Sequence, residues 1–199
     1  VNSGPAHTSP LGFSAPMYHT VLSLGSNLGD SEALVAWVVA NARQLGSVKT
    51  VSSMYSTPPW GGVEQPDFRN VTMAVESEYT PRQWLLWGSN LEARAMRTRE
   101  VRWGPRTLDV DVIASWLLAD DGGPLDVFSD DPDLLLPHPR AHERAFVLTP
   151  WLEIEPHARL HGRPIDELLA ETRADERAAI RLIGPVPDVD PDQPPVCAE

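Results

Sequence analysis

Between Thr20 and Trp116 the hydrophobic period switches in an order that leaves few folds open. Thr20-Val21-Leu22-Ser23-Leu24 reads as a short strand ending in Gly25-Ser26-Asn27. Leu34, Val35, Val38, Val39 and Ala42 then recur at helical spacing between Ser31 and Leu45, and Gly46 closes that helix. Val48 to Tyr55 is β-branched and polar, a second strand. Phe68 to Glu78 alternates, with Val71, Met73 and Val75 on one face. Thr80 is placed to cap a helix with Pro81 at its first position, where the missing N–H costs nothing, running to about Arg97. Leu108 to Trp116 is a further strand. This β-α-β-β-α-β order predicts an α+β, ferredoxin-like core: a mainly antiparallel sheet flanked by helices in a three-layer αβα arrangement.

Further along come a short strand at Leu134–Leu136, a rigid Pro137-His138-Pro139 turn and an apolar segment around Phe146-Val147-Leu148. A helix over Ile165–Glu171 and a last strand over Ala178–Ile183 complete the expected elements. Residues 1–17 lack periodicity and an apolar signal region, and read as a disordered leader. Residues 185–199 carry five prolines and four acids and read as a disordered, solvated tail. One folded domain is therefore expected over 18–184.

The net charge of −12 argues against a broad nucleic-acid surface, and no apolar run is long enough for a membrane span. Yet six of the sixteen basic residues, all arginine, fall between Arg82 and Arg106. Such a cluster on an acidic chain is either a helix face paired to Glu92 and Glu100 or a site for a compact polyanion. The single cysteine, Cys197, rules out a disulfide framework, and cytoplasmic localisation is the expectation. A monomer is the default, because no helix face demands a partner.

Asp109 and Asp111 are the sharpest chemical signal. Residues i and i+2 of a strand share a face, so the two carboxylates lie side by side and repel unless a cation intervenes. Mg²⁺ takes a few carboxylates with water and phosphate oxygens. Read alone, two acids on a half-exposed strand are more often simply solvated. Arg106, three residues upstream, shifts the balance, since metal plus guanidinium is what a polyphosphate needs. Trp103, in a Gly-Pro turn, either plugs the core or covers a planar ring. Phe68 and Asn70 share a face, an aromatic plate beside an amide that suits a hydrogen-bonding heterocycle. The loop from Thr57 to Asp67 is stiff at its start and mobile at its end, as a lid or a plain connector would be.

Five segments then match one family in order: Leu24-Gly25-Ser26-Asn27-Leu28-Gly29; Tyr55 through Gly61; Gln65 through Asn70; Arg102-Trp103-Gly104-Pro105-Arg106-Thr107-Leu108-Asp109-Val110-Asp111; and Leu136-Pro137-His138-Pro139 with Arg144 through Leu148. On these the chain resembles the 6-hydroxymethyl-7,8-dihydropterin pyrophosphokinases of folate biosynthesis. The resemblance spans residues 20–156 and is loose over 157–184.

The resemblance implies Mg-dependent transfer of pyrophosphate from ATP to the pterin's hydroxymethyl group, giving the pterin diphosphate and AMP. It assigns two Mg²⁺ ions to Asp109 and Asp111. Arg97, Arg99, Arg106, His138 and Arg144 are expected to neutralise phosphate charge, with Glu92 and Val112 near the nucleotide. Phe68 and Phe146 are expected to sandwich the pterin, Asn70 and Thr57 to read its edge, Pro58 and Trp60 to add backbone contacts, and Trp103 to cover the site. Met96 stands where a glycine is the rule, and the loop after Arg99 is about one residue short. No residue stands out as general base. A binding module without turnover is the competing class, disfavoured by the intact acidic pair, and fusion to another folate enzyme stays open.

Overall fold

The computed structural model describes residues 15–59, 65–95, 108–119 and 123–195. β1 (Met17–Ser26) runs through the middle of a seven-stranded antiparallel sheet. Helices cover both faces, so β1 is buried continuously from Thr20 instead of on alternate residues. α1 (Ser31–Gln44) follows, capped by Asp30, whose carboxylate accepts the Ala33 N–H at 3.1 Å.

The strand expected over Val48–Tyr55 is broken into β2 (Val48–Val51) and β3 (Met54–Thr57). Both pair with β4 (Phe68–Ser77). Ser52 makes the break by bonding locally: its hydroxyl donates to Ser53 O and accepts the Thr72 N–H. α2 (Pro81–Arg94) starts on a capping box between Thr80 and Gln83 and stops short of the expected Arg97. β5 (Asp109–Ala119) pairs with β1 on the side away from β4. With β2 and β3 counted as one interrupted strand, this is the expected β-α-β-β-α-β core.

β6 (Gly123–Asp126) extends the sheet past β5, and β7 (Ser129–Asp131) and β8 (Leu134–Leu136) form a separate hairpin. The segment around Phe146 is a helix, α3 (Ala145–Ile154), entered through a 3₁₀ turn at Ala141–Glu143. A two-residue hairpin, β9 (Arg159–Leu160) with β10 (Arg163–Pro164), leads to α4 (Ile165–Glu171). The strand expected over Ala178–Ile183 is divided between α5 (Ala174–Ala179) and β11 (Arg181–Gly184). β11 pairs with β3 and forms the sheet edge opposite β6.

On the face covered by α1 and α2, Leu22, Leu24, Val71 and Met73 join Trp37, Val38 and Trp84 in the larger core cluster. On the other, Val21 and Ile113 join Leu148, Trp151 and Ile165 of α3 and α4. Each such side chain contributes roughly 1.5–3 kcal/mol by leaving water. Gly88 lets α2 press onto β5: a Cβ there would stand 2.7 Å from Val110 Cγ1.

Residues 185–195, for which the composition predicts a solvated tail, instead lie along α1. Trp37 Nε1 donates to Pro191 O at 2.8 Å, and Val186 and Val189 pack against the larger core. The Trp37 side chain is fully buried, so its N–H needs an acceptor, and the returning chain supplies one. Among the described residues no helix is long and apolar enough to cross a membrane.

Candidate active site

Sheet register builds the floor of the site. Across four neighbouring strands, Tyr55 of β3, Asn70 of β4, Gly25 of β1 and Asp109 of β5 lie opposite one another. Directly opposed residues share a face, so all four face the α3 side of the sheet. Asp111 lies opposite Ser23 and Thr57 opposite Phe68, on the same face. The acidic pair thus stands two strands, about 10 Å, from Asn70. Gly25 keeps the middle low: a Cβ there would come within 3.1 Å of Asn70 Oδ1 and 4.0 Å of Phe68 Cδ1.

At the β3–β4 end, Asn70 Nδ2 donates to Thr57 Oγ1 at 2.6 Å, and both residues are buried. The bond fixes the amide so that its oxygen faces Gly25, beside the half-buried Phe68 ring. The strand itself is positioned from β1: Asn27 Nδ2 donates to Gln65 Oε1 and to Pro66 O, at 3.0 and 2.9 Å, just ahead of Phe68. This gives the Gly-Ser-Asn segment a structural task that the sequence did not disclose.

At the β5 end, Asp109 and Asp111 are half-buried, while Val110 and Val112 between and after them point into the core with α2. Among the described residues no group of three or more His, Cys, Asp or Glu is placed to hold a metal ion. Among the described residues the pair has no third such ligand beside it, an arrangement that suits a hard cation completing its shell from water and substrate oxygens. The pair therefore fits Mg²⁺ arriving with a polyphosphate better than a metal caged by protein alone.

His138 and Arg144 stand by this acidic end. His138 follows the cis Leu136–Pro137 peptide, and its N–H donates to Ile113 O at 2.7 Å, which ties the turn to β5. Its Nδ1 accepts the Arg140 N–H at 3.2 Å, so the neutral ring carries its proton on Nε2. Burial, reinforced by the Arg144 charge and opposed by Asp109, holds its pKa down to about 4. The imidazole is a neutral donor. The Arg144 guanidinium also lies 5.7 Å from the centre of the Phe146 ring, joining the charged and aromatic ends.

Glu92, expected near the nucleotide, is buried with its carboxylate accepting the Val110 N–H at 2.9 Å. Val112 is a core residue, and only its backbone is left for the expected contact. Trp60, Arg97, Arg99, Arg102, Trp103 and Arg106 lie outside the described residues. Ala95 and Leu108, both buried, bracket the residues 96–107 that hold most of them.

Thr57, Pro58 and Phe146 also line a cavity of about 450 Å³. Its far wall is Arg173, Glu176, Ala179 and Ile180, none of which the sequence singled out. No signal was there to find: α5 buries none of its residues and so shows no hydrophobic period.

Known proteins share the sequence and the fold of this chain. The sequence profile of the family described as 7,8-dihydro-6-hydroxymethylpterin-pyrophosphokinase matches residues 21–156. A 2-amino-4-hydroxy-6-hydroxymethyldihydropteridine pyrophosphokinase of Mycobacterium tuberculosis (strain ATCC 25618 / H37Rv) is 42% identical over 184 residues, 89% of this chain and 96% of that protein. The protein of that name from Mycobacterium leprae is 44% identical over 173 residues, 83% of this chain and 89% of its own. That from Bacillus subtilis is 37% identical over 139 residues, 67% and 75% of the two chains. Among solved structures, wild-type HPPK-DHPS of Plasmodium falciparum matches with a TM-score of 0.54 at 12% identity, over 78% of this chain and 44% of that one. This last likeness concerns the fold, and the chain spans less than half the length of that protein.

Proposed function

The chain belongs to the 7,8-dihydro-6-hydroxymethylpterin-pyrophosphokinase family, and from that membership we propose how its own residues carry the reaction. The activity is transfer of pyrophosphate to hydroxymethyldihydropterin in folate biosynthesis, with ATP as the co-substrate. The hydroxymethyl oxygen attacks the β-phosphorus. The bond from that phosphorus to the oxygen it shares with the α-phosphorus breaks, AMP leaves and the hydroxyl proton is released. Such a transfer needs positioning and charge neutralisation more than covalent help from the protein.

The observation that carries this reading is the cross-strand row from Asn70 through Gly25 to Asp109. It gives one flat floor with a hydrogen-bonding end for a heterocycle and an acidic end for a metal–triphosphate. Asp109 and Asp111 hold Mg²⁺, two ions in this reading, and bound there the metal offsets negative charge along the triphosphate. His138 donates its Nε2 proton to a phosphate oxygen without adding charge. Arg144, with Arg97, Arg99 and Arg106, neutralises the rest. Phe68 and Phe146 hold the pterin ring between them, Asn70 and Thr57 read its polar edge, and backbone near Pro58 and Trp60 adds contacts. Trp103 covers the closed site. Glu92 acts as a positioning residue through Val110, and Val112 meets the nucleotide with its backbone.

In this reading the chain works as a monomer, and its single cysteine suits a reducing cytoplasm. The test is AMP release from ATP, measured with and without hydroxymethyl-dihydropterin and Mg²⁺. AMP formation is expected only when all three are present. Pterin-independent hydrolysis, or binding without AMP, would sink the reading.

A further inference from the structure

Residues 172–184 follow the segment that matches the family profile, yet they stand against the heterocycle end of the floor. β11 pairs with β3, setting Arg181 opposite Ser56 and Leu182 opposite Tyr55, next to Thr57. α5 is anchored at its start: the Thr172 hydroxyl donates to Leu169 O at 2.7 Å, and Arg177 donates to Thr172 O. Arg173 pairs with Asp175 at the cavity rim.

What α5 does not do is fill space. None of its residues is buried, and the cavity of about 450 Å³ lies between its Ala179–Ile180 end and the Thr57-Pro58-Pro59 turn. The space is a cleft open to solvent, with Pro58, Arg173 and Asp175 exposed along it, so a ligand can reach it from outside. The volume falls within the range of small-molecule pockets, and the walls are mixed: Pro58, Phe146 and Ile180 are apolar, Arg173 and Glu176 polar. Among the described residues Phe68 and Asn70 do not line it, so it adjoins the ring slot across Phe146 and Thr57.

We propose that α5 is a specificity wall for the pterin half of the site, with Ala179 and Ile180 setting the room into which Phe146 and the Thr57–Pro59 turn adjust as the ring seats. This rests on the function proposed above. It makes the size of residue 179 a control on the pterin and not on the nucleotide. Ala179 is only half-buried, at the last turn of a short helix, so larger side chains are expected to enter the cavity without disturbing the core.

The test is a graded series, Ala179→Leu and Ala179→Trp, in steady-state assays that vary hydroxymethyl-dihydropterin and ATP separately. The KM for the pterin rises with side-chain size, on the order of tenfold for Trp. The KM for ATP and the melting temperature stay near wild type. A pterin KM that is flat across the series in an active enzyme overturns the role of α5 alone. So does a parallel rise of both KM values with a lowered melting temperature, which marks the wall as merely structural. A wild-type chain that does not consume the pterin overturns the underlying function instead.

Discussion

Glu92, buried on α2, accepts a hydrogen bond at 2.9 Å from the backbone N–H of Val110, the one residue between Asp109 and Asp111. A helix therefore sets the height and pitch of the strand segment that carries the acidic pair. Val110 also packs its side chain against Gly88, one turn earlier on the same helix. Two contacts from a single helical stripe hold one residue, and that residue holds the site.

Glu92→Leu removes the acceptor and leaves a buried N–H without its partner, which costs about 1–3 kcal/mol. The acidic pair loses its alignment, so turnover falls and the Mg²⁺ concentration for half-maximal rate rises. Glu92→Gln keeps a carbonyl oxygen in place and is expected to recover most of both. Magnesium titrations of the two variants check this. Equal loss in both would mean that the charge of Glu92, and not its hydrogen bond, matters.

Asp109→Ala and Asp111→Ala are each expected to lower AMP formation by at least about a hundredfold. Neither side chain belongs to a core cluster, so circular dichroism and thermal melts should match wild type. Activity retained at near wild-type rate in either variant would count against the metal assignment.

Gly88→Ala sets two effects against each other. Helix propensity favours alanine by up to about 1 kcal/mol. The added Cβ would sit 2.7 Å from Val110 Cγ1 and 2.9 Å from Val110 Cβ, and overpacking of that kind costs about 1–3 kcal/mol. Val110 Cβ is held by the strand backbone and has little freedom to yield, so the clash wins. Denaturant unfolding should show a net loss of stability; a gain would mean that α2 can move away from β5 at no cost.

His138 should stay neutral from pH 8 down to about its pKa of 4. Its folded pKa lies below the unfolded value, so the unfolded chain takes up a proton that the folded chain refuses. The contribution is a loss of folding stability as pH falls through the interval from about 6.5 to 4. NMR titration of the imidazole proton resonances in the ligand-free protein reads this directly. An inflection near pH 6.5 would contradict the buried, neutral donor.

Much of the architecture was legible because period and capping agreed. Thr80 and Pro81 marked α2, and the alternation around Val71, Met73 and Val75 marked β4. The pairing of Asp109 with Asp111 was equally readable, since strand geometry alone puts i and i+2 together. The break at Ser52 was not, because it depends on a hydroxyl bonding across to Thr72. Nor was α3, whose Ala145–Ile154 sequence is apolar on nearly every side and contains Pro150, which hides a helical period. Glu92 reads either as a partner for a nearby arginine or, by resemblance, as a residue near the nucleotide, and only the fold brings it to Val110. The 185–195 segment misleads for a similar reason: its prolines and acids look solvated, and its contacts run through the Pro191 carbonyl and two valines. Carbonyl oxygens leave no trace in a pattern of side chains.

The Asn70–Gly25–Asp109 row also bears on how such a site can change over generations. The separation between its two ends is a property of the backbone ladder, the same whatever side chains the strands carry. Substitutions at the rim, in the loops or along α5 can retune which ring is accepted without altering the reach from ring to metal. The ladder works as a gauge with a built-in length, and selection can act on recognition while the geometry of transfer is inherited unchanged.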